Sequence, residues 1–284
     1  MIERCAYQFK LRYIEGRKVP PDLPLLRGDA VHKGQEHNYT QRFDTGSPVS
    51  EAEVVDVTAD AFEQAVKTRE YGLGSYGRHG SPKQARGRAK QDALACAKAY
   101  HKVIGSRLRV AEVKGEPGVE LQITVDSPRF RLPLLGIIDL VEDAPLRQIA
   151  LVDGEPSEKR VHRIRDTKTV SRSMRPADVD NDLQPTFYEI LYRATTGHAP
   201  AGHVFDTVVL SKDGSATVQP IPTARGPAEL EGLVQRVEAS LKMVEAETFI
   251  PCNPTSWACS QSFCGFWESV CPFGKRARSN RPRS

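Results

Sequence analysis

The sequence lacks the long apolar runs of a membrane-spanning protein. No apolar run in its 284 residues approaches the roughly 18 to 20 residues that a spanning helix needs. The first residues, MIERCAYQFKLRY, carry charges where a signal peptide has its apolar core. These absences predict a cytoplasmic protein with no membrane partner.

Two further patterns are missing, and a third is present in the wrong context. The chain has no internal repeat and no C-x2-C pair, which is the usual mark of a zinc knuckle. The stretch GLGSYG at 72–77 matches G-x-G-x-x-G, but it follows a helical pattern instead of the strand that dinucleotide binding requires. We therefore interpret residues 72–77 as a glycine-rich loop.

Charge is ordinary in amount but uneven along the chain. The formal net charge is +4, which favours anionic partners only weakly. Two stretches, 82–90 and the tail 275–284, are strongly basic. Each is consistent with contact to a phosphate backbone or with a solvated surface, and taken singly each is better interpreted as solvated.

The order of periodic segments predicts an α/β protein. Helical patterns come first, followed by β-branched runs that Pro, Gly and Asp clusters separate, then a helix, two further runs and a last helix. Helices are predicted over 5–15, 26–43, 51–70, 82–104, 183–194 and 227–246, and strands over 119–125, 132–142, 148–154, 161–170, 203–211 and 216–222, the last two forming a hairpin around KDGS. This order indicates a mixed central β-sheet flanked by helices.

Six cysteines need an explanation in a chain expected to stay reduced. Cys252, Cys259, Cys264 and Cys271 fall within twenty residues of one another, in a segment with no regular element to bury them. Such a density of thiols indicates a bound metal or cluster, and both zinc and an iron–sulfur cluster fit. The nearby aromatic residues could shield a cluster: Trp257, Phe263, Phe266 and Trp267. Cys96 lies in an alanine-rich helix and is interpreted as a buried thiol.

The stretch HRIRDTKTV puts an acid and a lysine on one side of a predicted strand. Asp166 and Lys168 are two residues apart and so share a face. Alone, this pattern is typical of a solvated edge strand with an exposed ion pair. Asp139, however, ends the apolar run LLGIID, and if the two strands pair, Asp139 and Asp166 converge. Their repulsion would then favour a cation between them, and oxygen ligands suit Mg²⁺ or Mn²⁺.

Four separated motifs resemble the PD-(D/E)XK nuclease superfamily, and specifically its RecB-like branch. They follow one another in the order of that branch: GDAVH (28–32) resembles G-x-x-x-H, GIID (136–139) the first acidic motif, DTK (166–168) the D-x-K motif and QPTFY (184–188) Q-x-x-x-Y. The flanking cysteines resemble the iron–sulfur subset, which includes AddB-like proteins, CRISPR adaptation nucleases and phage exonucleases.

The resemblance implies roles for individual residues. The Mg²⁺ or Mn²⁺ ligands would be His32, Asp139, Asp166 and the backbone carbonyl of Thr167. Lys168 would orient a water molecule or stabilise the transition state, while Gln184 and Tyr188 would support the metal site and contact DNA. The [4Fe–4S] ligands would be Cys5, Cys259, Cys264 and Cys271, with Cys252 as a fifth candidate.

The resemblance also implies a fold, a function and partners. It implies one domain, 1–284, with a restriction-endonuclease-like core: a mainly helical part (1–118), a catalytic sheet with helices (119–246), and an iron–sulfur segment with a basic tail (247–284). The implied function is metal-dependent hydrolysis of DNA, as an exonuclease on ends or single strands, with a helicase or recombination partner. A non-catalytic nucleic-acid-binding module with a cysteine-bound cluster or zinc is the alternative.

Two features depart from the relatives. Twenty-six residues separate Asp139 from Asp166, which predicts an insertion around DGEPSEKRV in the intervening hairpin. Relatives usually have a longer segment before the first cysteine, so a shortened start is also predicted.

Overall fold

The computed structural model describes residues 2–127, 129–130, 132–152, 155–260, 263–267 and 269–274, with side chains at 79 and 147–158 excluded. It divides into two compact units, one formed by Asp22–Leu233 and the other by Met1–Pro21 with Val234–Ser284. The predicted basic tail, 275–284, lies outside the described residues. The single nuclease domain over 1–284 stays a prediction.

The secondary structure follows the predicted order. The helices are α1 (Ala6–Phe9, continued by a π-helical turn, Lys10–Ile14), α2 (Leu23–Thr45), α3 (Glu51–Thr68), α4 (Pro82–Tyr100, continued by a π-helical turn, His101–Gly105), α5 (Pro176–Asp180), α6 (Leu183–Thr196) and α7 (Pro227–Glu245). The strands are β1 (Glu112–Val113), β2 (Glu116–Pro117), β3 (Val119–Val125), β4 (Leu134–Val152), β5 (Glu155–Val170), β6 (His203–Leu210) and β7 (Ala216–Thr223). Residues 74–79 form a short 3₁₀ helix that overlaps the predicted glycine-rich loop, 72–77.

The central sheet has five strands in the order β3-β4-β5-β6-β7. All neighbours are antiparallel except β5 and β6, which are parallel. The predicted α/β class with a mixed sheet flanked by helices is therefore confirmed. Because β5 lies at the centre of the sheet, the solvated edge strand considered for HRIRDTKTV is wrong.

Apolar clusters cover both faces of this sheet. Leu140 packs in a cluster with buried residues of α2, α3 and α4, whereas its neighbour Val141 packs in a second cluster with Leu191 and Tyr192 of α6. Successive residues of a strand point to opposite faces, so the two clusters lie on opposite sides. The sheet is thus held between helices.

Local sequence signals set the helix ends that matter for the site. The side chain of Asp22 accepts from Leu25 N at 3.2 Å and begins α2, which ends at the left-handed Gly46. Asp182 caps α6 by accepting from Gln184 N at 2.8 Å. Such caps satisfy backbone N–H groups that have no partner in the first turn.

The predicted strand boundaries of the β4–β5 hairpin were wrong. The runs 132–142 and 148–154 were expected as separate strands, but they form one strand, β4, whose register with β5 shifts between Pro145 and Ile149. Pro145 was interpreted as part of a strand break, whereas the shift in register accommodates it within the long β4–β5 hairpin. Residues 155–161, where the insertion is predicted, belong to β5, and residues 153–154 lie outside the described part.

Two helix glycines give a matched test of packing. A Cβ on Gly34 of α2 would lie 2.2 Å from Thr58 Oγ1 and 3.1 Å from the Val54 carbonyl of α3, whereas a Cβ on Gly87 of α4 would meet nothing within 4 Å. We expect Gly34→Ala to lower the free energy of unfolding by about 1–3 kcal/mol through overpacking. Gly87→Ala should raise it by about 0.5–1 kcal/mol, because alanine is the better helix former. Urea unfolding followed by circular dichroism measures both, and equal changes in the two variants would contradict the close α2–α3 contact.

Candidate active site

The site forms where β4 and β5 separate. Their pairing runs as far as Leu140 opposite Arg165, and one further step of this register puts Asp139 opposite Asp166. Beyond that point β4 continues beside β3 and β5 beside β6. Directly opposite residues of antiparallel strands project to the same side, so the two carboxylates converge as the motif spacing predicts.

Burial disfavours the charged forms of both acids, and at Asp166 the charge of Asp139 adds to this effect. Asp166 is 2% exposed. Its burial and the nearby charge of Asp139 raise its pKa to about 7. Burial also raises the pKa of Asp139, although His32 and a hydrogen bond from Thr167 N, at 3.0 Å, act in the opposite direction. A bound cation would relieve both costs, so the acids suit a metal.

His32 projects from α2 toward the same carboxylates. Its Nε2 lies 3.1 Å from the Thr167 carbonyl, and because a carbonyl can only accept, Nε2 carries a proton. Its Nδ1 lies 3.4 Å from Asp139 Oδ2 and 3.8 Å from Glu120 Oε1. Burial lowers the pKa of His32, but its hydrogen bond to the Glu120 carboxylate and the charges of Asp139 and Asp166 outweigh burial and raise the pKa to about 9.

A hydrogen-bonded group holds Lys168 beside Asp166. Lys168 Nζ lies 2.7 Å from Asp166 Oδ2 and donates to Gln184 Oε1 at 2.7 Å. The Gln184 amide donates to Asp166 Oδ1 at 2.8 Å and to the Tyr188 hydroxyl at 2.7 Å. Gln184 therefore links the D-x-K strand to α6, and Tyr188 supports the glutamine from one turn further along the helix.

Glu120 is the site residue that sequence reasoning missed. Among the described residues, His32, Glu120 and Asp139 form the set whose possible ligand atoms all lie within 4.8 Å of one another, and Asp166 is not part of it. A signal was present, since Glu120 is an acid in the run VELQITV, which was expected to lie in the same sheet as the strand of Asp139. The structure thus brings together the six predicted side chains and adds a seventh.

Arg27 fixes α2, and with it His32, against the end of β5. Its guanidinium donates to the Thr169 carbonyl at 3.1 Å and to the Tyr76 hydroxyl at 3.0 Å. Tyr76 in turn donates to the buried Asp92 at 2.8 Å. These contacts lie one and a half helical turns from His32 and position it beside Thr167.

Most basic side chains of the stretch 82–90 form ion pairs with acidic residues of α3 and α4. Lys90 and Arg86 of α4 reach Glu63 of α3 at 3.0 and 3.6 Å, and Arg88 pairs with Asp92 at 3.0 Å. These pairs favour the solvated-surface interpretation of this stretch over phosphate contact.

The other compact unit contains a pocket lined by five cysteines. Its sulfur-bearing lining residues are Cys5, Cys252, Cys259, Cys264 and Cys271. Leu11, Phe266, Trp267 and Phe273 contribute apolar side chains to the same pocket. All six cysteines of the chain are free thiols, and Cys96 is buried in α4 as predicted.

The surroundings of these thiols differ. Cys5 Sγ accepts from Gln8 N at 3.4 Å and from Cys252 N at 3.3 Å. Cys252 Sγ instead donates to the Asn253 carbonyl at 3.3 Å. Burial raises the pKa of Cys259, and the other four thiols raise it further.

Comparison with known proteins identifies the family. A family model described as the PD-(D/E)XK nuclease superfamily matches residues 2–272. The chain therefore belongs to the PD-(D/E)XK nuclease superfamily, which makes it a nuclease and confirms the superfamily inferred from the four motifs. The RecB-like branch and the iron–sulfur subset stay predictions.

One solved structure is similar over most of its length. It is the crystal structure of a protein from Eubacterium rectale described as a candidate exonuclease, with 11% identity over 99% of this chain and 84% of that chain, and a TM-score of 0.44. No curated protein matches. In the described part of the chain, no helix combines the length and apolar character needed to cross a membrane.

The charge around His32 generates a testable prediction. In the metal-free protein we expect His32 to titrate with a pKa of about 9, because two carboxylates face its Nδ1. The protonated form thus stabilises the folded state fully below the ordinary pKa near 6.5, and this contribution disappears as the pH rises through about 9. NMR titration with EDTA present, assigned by comparison with His32→Gln, measures the value.

Asp139→Asn is the companion variant. It removes one of the charges that raise the His32 pKa, so the titration should move to lower pH. A wild-type midpoint below pH 7 would contradict the arrangement.

Proposed function

We propose that the protein is a metal-dependent deoxyribonuclease of the RecB-like branch that acts as an exonuclease on DNA ends or single strands. The observation that carries this proposal is the convergence of Asp139, Asp166 and His32 with Lys168 held beside them, in a chain of a nuclease superfamily. A helicase or recombination complex, acting in the cytoplasm, is the proposed source of its DNA ends.

The proposed cation ligands are His32, through Nδ1, and the carboxylates of Asp139 and Asp166, whereas the Thr167 carbonyl, the fourth ligand that the resemblance implies, lies on the Nε2 side of the imidazole and accepts its proton. An imidazole with several oxygen donors suits Mn²⁺ and Mg²⁺. When bound, such a cation polarises a phosphate and lowers the pKa of a coordinated water molecule. The raised pKa of Asp166 supports this assignment, because a cation would restore the charged carboxylate.

Lys168 is proposed to stabilise negative charge on the scissile phosphate. Its ammonium group is pre-positioned by Asp166 and Gln184, so little reorganisation is needed when the substrate binds. Tyr188 holds the Gln184 amide, which in turn holds one Asp166 oxygen. Gln184 and Tyr188 are thus proposed as positioning residues that also lie near the DNA backbone.

The cleavage prediction compares two site variants with a surface control. On end-labelled linear DNA with Mg²⁺ or Mn²⁺, we expect Lys168→Met to lower kcat by about 10²–10³-fold, as for removal of one pre-organised charge-stabilising donor. Asp166→Asn should lose at least as much, whereas Lys212→Met, at an exposed lysine of the β6–β7 turn, should match wild type. EDTA should abolish cleavage by the wild type.

The form of the DNA substrate and the site variants distinguish an exonuclease from a non-catalytic nucleic-acid-binding module. Release of labelled nucleotides from linear DNA, with closed circular DNA left intact, would support an exonuclease. Equal activity of wild type, Asp166→Asn and Lys168→Met would reject the assignment. Tight DNA binding without cleavage in any divalent metal would favour the non-catalytic module.

We further propose that the cysteine pocket holds a structural [4Fe–4S] cluster. The proposed ligands are Cys5, Cys259, Cys264 and Cys271. The two backbone N–H groups aimed at Cys5 Sγ would stabilise a thiolate, and the apolar lining would shield the cluster. Cys252 contributes its N–H to Cys5, while its own S–H is already used by Asn253.

Two cysteine variants in the same pocket test this ligand set. We expect Cys252→Ala to keep about four irons and the brown colour, because its backbone N–H to Cys5 survives the substitution. Cys5→Ala should lose iron and colour. Iron analysis and visible absorption after anaerobic purification measure both.

If Cys252→Ala loses iron and colour while Cys5→Ala keeps them, the fourth cluster ligand is Cys252 and not Cys5. A colourless wild-type protein that contains zinc would reject the iron–sulfur cluster.

A further inference from the structure

We propose that Glu120 is a direct carboxylate ligand of the divalent cation, in a set with His32 and Asp139. This inference rests on the metal site of the proposed function. It adds a residue that none of the four sequence motifs contains.

Distances between the donor atoms support a shared ion. The candidate ligand atoms of His32, Glu120 and Asp139 all lie within 4.8 Å of one another. Two donors at about 2.1 Å from one ion are separated by about 3.0 Å when adjacent and about 4.2 Å when opposite. The distances from His32 Nδ1, 3.4 Å to Asp139 and 3.8 Å to Glu120, fall between these limits.

The donor atoms also face the correct nitrogen. His32 Nε2 carries its proton toward the Thr167 carbonyl, so Nδ1 is the ring atom that can bind a cation. A hydrogen bond from the second ring nitrogen to a carbonyl is the usual support of a metal-binding histidine. Both carboxylates of the proposed set lie on the Nδ1 side.

The backbone of β3 is exceptional at this residue. Glu120 has φ +44°, a left-handed conformation that a glutamate rarely adopts. Its neighbours Val119 and Leu121 pair with Leu140 and Ile138, which puts Glu120 opposite Asp139. Val119 packs in the α2 cluster and Leu121 in the α6 cluster, although residues two apart share a face in a regular strand. The side chains of β3 therefore change faces of the sheet at Glu120.

The competing explanation is that Glu120 only pairs with a protonated His32. The two explanations predict opposite signs for one measurement. If Glu120 is a ligand, removing its charge weakens cation binding. If Glu120 only stabilises the imidazolium, removing it frees Nδ1 and leaves cation binding equal or stronger.

Glu120→Gln and Glu36→Gln form a matched pair. Both remove one negative charge from the cleft that Glu36, His32 and Glu120 line. Glu36 pairs with Lys33 and lies outside the three-residue set. A loss of Mn²⁺ affinity common to both variants would therefore reflect the overall negative charge of the cleft. A loss confined to Glu120→Gln would identify Glu120 as a ligand.

Isothermal titration with Mn²⁺ on the full chain, without DNA, tests the proposal. We expect Glu120→Gln to bind Mn²⁺ at least tenfold more weakly than wild type and Glu36→Gln to remain within twofold. Water-proton relaxation at saturating Mn²⁺ should report about one additional inner-sphere water in Glu120→Gln, because the lost carboxylate leaves a position open. Far-UV circular dichroism spectra in EDTA that match the wild-type spectrum establish that the variants are folded.

Each outcome has one meaning. Mn²⁺ affinity in Glu120→Gln that equals or exceeds that of wild type overturns the inference but leaves the proposed function intact, provided that Asp139→Asn loses binding. A wild-type protein that binds no Mn²⁺ contradicts the proposed function itself.

Discussion

The structure depends on holding two carboxylates close together on adjacent strands. Asp139 and Asp166 stand opposite each other where β4 and β5 separate, and burial raises the pKa of both. In a low-dielectric environment such repulsion is costly unless positive groups lie close by. His32 and Lys168 supply that charge in the metal-free protein. A divalent cation would supply it more completely.

The surrounding fold keeps this arrangement from relaxing. One residue before Asp166, Arg165 is buried against Asp206 at 2.6 Å and Glu142 at 2.8 Å, which anchors the centre of β5 to β4 and β6. Arg27 fixes α2 from one side of the strand, and Gln184 of α6 fixes Asp166 and Lys168 from the other. A buried ion pair that loses one partner leaves an uncompensated charge, so these groups specify the geometry of the site as well as its stability.

The two compact units concentrate different chemistry. The sheet-containing unit gathers oxygen and imidazole donors, which suit hard divalent cations, whereas the other gathers thiols, which suit zinc or iron–sulfur clusters. Among the thiols, hydrogen bonding distinguishes Cys5 from Cys252. Cys5 accepts two backbone N–H groups, while Cys252 donates its own proton.

The sequence by itself determined the class of the fold and most of the site. The order of helical and β-branched runs predicted the mixed sheet, and the period of two along β5 predicted that Asp166 and Lys168 share a face. These are local properties, because side-chain direction follows directly from backbone geometry. The tertiary structure alone decided the course of β4 past Pro145 and the inclusion of Glu120, whose position depends on strand pairing and a left-handed backbone. It also decided the pairing of Lys90 with Glu63. Such contacts join residues distant in the chain, and no local pattern encodes which of them meet.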